Sequence, residues 1–190
     1  MPTDTVPDAN CSNRTWYRTP VPIPKMFRER RSVRAFEAEK PPADVLARLV
    51  DALRWAPSAG HLESRHFYFV TDRTLRRKLA RAAEQPFVGR APVVVVACAD
   101  LRIRREYGAR GVQLYCLMDV AAAVQNLLLV AHREGLGACW VGALDEKEVR
   151  GLLGLPRHLR PVSLVPLGYP AEEPEAAERA AREDVATFLR

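Results

Sequence analysis

The chain has 190 residues and a mass of 21.3 kDa; 48% of its residues are hydrophobic, 27% are charged, and the formal net charge is +6. That mix suits one globular domain with tails, burying roughly 70% of its unfolded surface, and it excludes a wholly disordered chain, a collagen-like repeat and a disulfide scaffold. The apolar runs Ala91–Ala99 and Val120–Ala131 are shorter than the roughly 20 residues that cross a bilayer, so no membrane span is expected.

Residues Met1–Phe27 are rich in proline and lack an apolar signal-peptide core. They read as an arm preceding a single domain over 28–190, with a cytoplasmic location as the default. A helix follows over Asp44–Trp55, where Val45, Leu46, Leu49, Val50 and Leu53 share a face and Pro41 and Pro42 open the first turn. Pro, Ser and Gly break the pattern over Ala56–Arg65, and His66–Val70 alternates like a strand. Asp72 or Thr74 can cap a helix running to about Glu84. Its Arg73, Arg76, Arg77, Lys78 and Arg81 fall mostly on one face and read as a solvated surface; no interleaved aromatics or recognisable module point to nucleic acid. Pro92–Ala99 reads as a buried strand.

Asp119–Glu134 is the most apolar helix and is expected at the centre of the fold, with Gly135 as its stop. Ala138–Gly142 reads as a strand. Asp145–Leu153 reads as a helix with Asp145 and Glu148 spaced as a capping box, and Val162–Leu167 as a strand. A last helix is expected within Glu175–Leu189. Alternating elements argue a layered sheet with helices on both faces.

The four cysteines, Cys11, Cys98, Cys116 and Cys139, form no C-x-x-C pair and have no histidine at zinc-ligand spacing; they read as reduced thiols, and no metal is expected. The chain contains no G-x-S-x-G, H-E-x-x-H or G-x-x-x-x-G-K-[ST] pattern. Gly135 and Gly137 end a helix, whereas a dinucleotide fingerprint opens one, which argues against a Rossmann site. Three polar or glycine-containing stretches remain. Arg30-Arg31-Ser32-Val33-Arg34 concentrates guanidinium forks and a hydroxyl, a donor set suited to a phosphate dianion or to a solvated basic loop. Ala56-Pro57-Ser58-Ala59-Gly60-His61 is small enough for a planar ligand to approach its backbone, or is simply a tight loop. Gly135–Gly142 either presents free amides near Gly142 or only connects a helix to a strand.

Taken in order, these stretches resemble the nitroreductase family of FMN-dependent oxidoreductases over about Arg28–Val185. The resemblance rests on the R-x-S-x-R opening at 30–34, A-P-S-A-G at 56–60 and A-P-V-V-V-V at 91–96. It continues with D-V-A-A-A-V-Q-N-L-L-L-V-A at 119–131, G-L-G-A-C-W-V-G at 135–142 and L-G-Y-P at 167–170. It implies an α+β fold of three α/β/α layers around a central mixed sheet, and a homodimer with FMN at the subunit interface. Arg30, Arg31, Ser32 and Arg34 of one subunit would then hold the FMN phosphate. Pro57, Ser58, Ala59 and His61 of the other would line the flavin, with Trp140, Val141 and Gly142 facing the ring. Gln85 would reach the ring, and Arg182 or Arg179 would complete the phosphate site. The implied activity moves hydride from NADH or NADPH through flavin N5 to a nitroaromatic, a quinone or another small electron acceptor, with no catalytic side chain. Within the family, the alternatives are dehalogenation, azoline oxidation and flavin fragmentation. An alternative of another class is a flavin-binding or flavin-sequestering protein with little turnover. His61 and Glu63 stand where the family usually has Asn and Gln; the change is either drift in a tolerant loop or a retuned flavin edge, at which a carboxylate at 63 would disfavour an anionic reduced flavin.

Overall fold

The computed structural model describes residues 23–189; Cys11 and the arm as far as residue 22 lie outside the described residues. The short helix α1 (Lys25–Glu29) straddles the expected boundary between arm and domain. Next come α2 (Ala43–Arg54), β1 (Arg65–Val70), α3 (Arg73–Ala82), β2 (Val93–Asp100), α4 (Arg104–Arg110) and α5 (Cys116–Arg133). The chain continues with β3 (Gly137–Ala138), α6 (Glu146–Leu153), β4 (Leu159–Gly168) and α7 (Arg182–Val185). The strands form one sheet in the order β1-β2-β4-β3. All three named pairings are antiparallel, and the mixed character is confined to one isolated parallel bridge, Ser32 to Ala138.

The continuous apolar run of β2 follows from its central position. Alternate residues of a strand point to opposite faces. Val93, Val95, Ala97 and Ala99 enter one core with Leu49 and Leu53 of α2 and with Val120, Val124 and Leu127 of α5. Val94, Val96 and Cys98 enter a second core with Leu79 of α3, Phe87, Val88 and Val149 of α6. Both faces are therefore covered, and the three expected layers form around an antiparallel sheet. Cys98, Cys116 and Cys139 are all free and buried.

Helix boundaries follow local chemistry. Asp72, rather than Thr74, caps α3 by accepting from the Leu75 amide at 2.7 Å, and Asp145 accepts from the Glu148 amide at 2.8 Å to cap α6. Gly135 takes the left-handed conformation, φ +75°, that ends α5.

Two expectations need correction, the strand over 138–142 and the tail helix, and two helical features were not foreseen. The polar α4, interrupted at Gly108 (φ 54°, ψ −141°), carries no buried residue and so gave no apolar periodicity to read. With α4 and a π-turn over Gly111–Tyr115, the helical stretch Leu101–Arg133 is long and apolar enough to cross a membrane by length and composition. Half of its most apolar window is buried inside the fold, as in a core helix. The strand expected over 138–142 shrinks to Gly137–Ala138 plus a bridge from Val141 to Leu164. The tail helix shrinks to Arg182–Val185, because nothing from 175 to 189 is buried and a short helix without packing is marginal.

Leu127, fully buried in α5, joins helix to sheet. Leu127→Ala should cost about 2–5 kcal/mol in a denaturant titration. The exposed Lys147→Ala on α6 should stay within about 0.5 kcal/mol; equal losses from the two would contradict this packing scheme.

Candidate functional site

The first cluster forms where the chain leaves α1. Residues 30–34 run beside β3: the Val33 amide donates to the Ala138 carbonyl at 3.1 Å, next to the Ser32 bridge. The absence of a side chain at Gly137 permits this approach, since a Cβ there would lie 2.7 Å from Val33 Cβ. The amides of Arg34 and Ala35 donate to one oxygen of Glu172, at 2.5 and 3.0 Å. These two donors hold the Glu172 carboxyl below its usual range. Arg31 is turned back on its own backbone, its Nη1 donating to the carbonyls of Arg28 and Arg30 at 2.6 and 3.0 Å.

Arg30, Ser32 and Arg34 converge on Cys139. Burial pushes that thiol upward, while Arg34, a hydrogen bond with Ser32, and Arg30 act in the opposite direction. The basic segment and Trp140–Gly142 are therefore neighbours. Trp140 is 40% exposed, Val141 is buried, and Gly142 has open space where a side chain would stand. The Arg34 guanidinium lies 5.9 Å from the Phe87 ring centroid. Phe87 belongs to a tight turn over Pro86–Gly89 that begins next to the half-buried Gln85. Arg182 opens the exposed α7, downstream of Glu172.

The second cluster is the loop between α2 and β1. Asp119, only 3% exposed on α5, accepts from the Ala59 amide at 2.9 Å and from the Ser64 amide at 3.1 Å. Ser58 Oγ accepts from the Glu63 amide at 3.2 Å. The Arg65 guanidinium donates to the carbonyls of Arg54, Ala56 and Pro57. Gly60 sits beneath Tyr107 with φ +55°, and a Cβ there would fall 2.4 Å from the tyrosine hydroxyl. His61 and Glu63 share the left-handed region at φ +56° and +48°. Such conformations persist in non-glycine residues only where surrounding bonds over-determine them. Fixed from within, the loop leaves Pro57 and His61 exposed and Ser58 and Ala59 half-buried.

Sequence reasoning missed Asp119, Arg65 and Tyr107 as organisers of this loop. The one available signal was a carboxylate inside an otherwise apolar helix, which in a folded core demands donors.

Within one chain the two clusters do not meet. Asp119 holds the loop near the start of α5 and Gly135 marks the other end, sixteen residues or about 24 Å away along the helix. Across the sheet, Arg65 pairs with Ala99, whereas β3 joins β4 beside the Val93–Leu167 pair; six residues of strand amount to about 20 Å. The two clusters are thus separate features of one chain.

The buried thiols are poor nucleophiles: burial pushes Cys98 up to about 12 and raises Cys116 as well. Among the described residues no group of three or more His, Cys, Asp or Glu side chains could hold a metal ion.

Asp119→Ala should free the Ala59 and Ser64 amides at a cost of about 1–3 kcal/mol. The measurement is hydrogen exchange over residues 58–64, and unchanged protection would refute the tether. For Glu172, the folded carboxyl ionises below its ordinary 4.5, so its contribution is complete above about pH 4.5 and is lost as pH falls through the lower folded value. Wild type should therefore lose more thermal stability than Glu172→Gln on acidification from pH 7 to about pH 3.5; parallel losses would contradict the contact.

Comparison with known proteins identifies the family. The sequence model of the Nitroreductase family matches residues 27–86 and 80–169. An NADH dehydrogenase of Thermus thermophilus is 32% identical, over 83% of this chain and 91% of its own length. An FMN reductase of Bacillus subtilis is 26% identical over 85% of this chain and 71% of its own. Among solved structures, an NADPH:FMN oxidoreductase from Vibrio harveyi, complexed with NAD+, superposes with a TM-score of 0.80 at 27% identity, covering 87% of this chain and 76% of that one. The family model matches most of the chain, from residue 27 to residue 169, so this protein belongs to the nitroreductase family.

Proposed function

We propose that this protein is an FMN-dependent NAD(P)H oxidoreductase, acting as a homodimer and passing electrons to a small organic acceptor such as a quinone or nitroaromatic. The observation that carries this reading is the separation of two clusters at opposite ends of one chain, one rich in groups suited to phosphate and the other a small-residue loop. In a two-fold assembly the same patch serves both subunits, so the ends of two antiparallel central helices can be brought together twice. Around the loop end of α5 the chain exposes Trp55 (82%), Met118 (58%), Leu62, Tyr107 and Leu114, the kind of apolar surface that a second copy covers.

The residues present fit FMN. Arg30, Ser32 and Arg34 offer fixed charge and a hydroxyl suited to a phosphate dianion, on backbone pinned by Glu172 and Ala138. Pro57, Ser58 and Ala59 offer a low surface for a flat ring, and His61 and Glu63 stand at its edge. When bound, FMN supplies a centre that accepts hydride from NAD(P)H and returns it to an acceptor. The chain's own contribution is binding, orientation and positive charge, with no side chain of its own exchanging a proton or forming a bond. The curated relatives named NADH dehydrogenase and FMN reductase support this reading.

Anaerobic addition of NADH or NADPH to the purified yellow protein should bleach its visible flavin bands. Bands that persist with both reductants would contradict the oxidoreductase reading and favour a flavin-storing protein. Arg34→Ala should weaken FMN retention by about 1–3 kcal/mol through loss of a charge-assisted contact; equal FMN content after dialysis would remove Arg34 from the phosphate site. Glu63→Gln should raise the flavin midpoint potential, because it removes a negative charge near the reduced ring. An unchanged potential would place Glu63 away from the flavin.

A further inference from the structure

The basic face of α3, read from the sequence as solvated surface, forms one wall of a groove of about 940 Å³. We propose that this groove binds a small anion carrying two or more phosphate groups. Arg73, Arg77 and Arg81 recur every four residues along it, about 6 Å apart per step, and Lys40 and Arg90 join them from neighbouring segments. Arg73, Arg77, Arg81, Lys40 and Arg90 make no ion pair among the described residues. The carboxylates nearby are Glu84, which lines the groove, and Asp72, which faces Arg76 but spends one oxygen capping α3.

Arg76 supplies the second observation. It is 8% exposed and still lines the groove. All its hydrogen bonds go to backbone carbonyls: Nε to Thr71 at 3.4 Å, and Nη1 to Gly89 at 3.4 Å and to Ala91. Burial lowers its proton affinity, with Arg73 and Arg77 adding to that effect against Asp72. Arg76 thus faces backbone carbonyls and makes no ion pair among the described residues, which leaves its positive charge for an anion in the groove to neutralise.

The shape favours a compact ligand. Gly89 brings the Pro86–Gly89 turn close against α3, since a Cβ there would lie 3.2 Å from Ala80 Cβ and 3.3 Å from Arg77 Cα. The volume falls within the range of small-molecule sites. The apolar lining is Ala38, Ala80, Pro86 and Pro92, with no aromatic ring on which a base would stack. Recognition would therefore fall on phosphate, for which forked guanidinium donors are suited. The same chemistry comes from two sources, the phosphates of NADPH or a free polyphosphate. The turn that walls the groove also places Phe87 beneath Arg34, so the groove borders the phosphate-binding half of the proposed flavin site.

The test is calorimetric titration of the FMN-loaded protein with sodium tripolyphosphate, at about 50 mM and about 300 mM salt. The expected result is saturable binding that weakens with salt and falls at least about tenfold in Arg77→Gln/Arg81→Gln, with flavin content and thermal midpoint unchanged. No binding by wild type, or equal binding by the variant, overturns the proposal. In the same variant, a KM rise confined to NADPH assigns the groove to the reductant's phosphates, and unchanged KM values for NADPH and NADH assign it to a separate anion. Because the titration reads anion binding, it stands apart from the flavin reading. Protein that binds no flavin yet binds tripolyphosphate through Arg77 and Arg81 would sink that reading and leave the groove in place.

Discussion

A buried carboxylate near the start of α5 is the interaction on which the site depends most. Asp119 uses both oxygens on main-chain amides five residues apart, Ala59 and Ser64, and so sets the path of the whole loop between α2 and β1. A carboxyl group only 3% exposed is costly to bury unless its oxygens find donors. The loop amides supply them here. In return, the loop holds two non-glycine residues in the left-handed region and keeps Gly60 under the Tyr107 hydroxyl. At the far end of the helix a steric constraint does similar work, since Val33 packs into the space that Gly137 leaves and carries Arg30–Arg34 onto the edge of the sheet. The helix between them is buried against β2 and β4 and acts as a rigid spacer.

This arrangement explains why the fold has so little conventional catalytic apparatus. Cys98, Cys116 and Cys139 are buried and their thiols pushed upward, and the polar chemistry of the described residues lies in backbone amides, arginine forks and a hydroxyl. Such groups bind, orient and stabilise negative charge. The electrostatics are correspondingly one-sided: basic residues gather both at 30–34 and in the groove beside α3, and Glu172 is spent on main-chain amides rather than on an arginine side chain.

Much of this was legible in the sequence. The seven-residue apolar run in β2 announced a strand covered on both faces, and the Asp145–Glu148 spacing announced the cap that forms. The proximity of Arg30–Arg34 to Trp140–Gly142 was not read from the sequence, because nothing local couples segments a hundred residues apart. Asp119 was misread as the opening of a helix that begins at Cys116; its role depends on amides sixty residues upstream. The arginines of α3 were read by periodicity alone, which shows a shared face but not that a turn from Pro86 to Gly89 would build a second wall over it. The short helix α4 was invisible because it buries nothing.

The central claim is that one chain carries two unlike halves and that each flavin site takes one half from each subunit. Complementation tests this most directly. Arg34→Glu disables the phosphate half and Pro57→Trp, at an exposed loop position, disables the ring half, so each homodimer should bind no flavin. A heterodimer of the two variants, purified with two different tags, should hold one doubly damaged site and one intact site. The account predicts recovery of about one FMN per heterodimer, read from flavin absorbance. Sites built within single chains would leave the heterodimer as colourless as its parents, and that result would contradict the account.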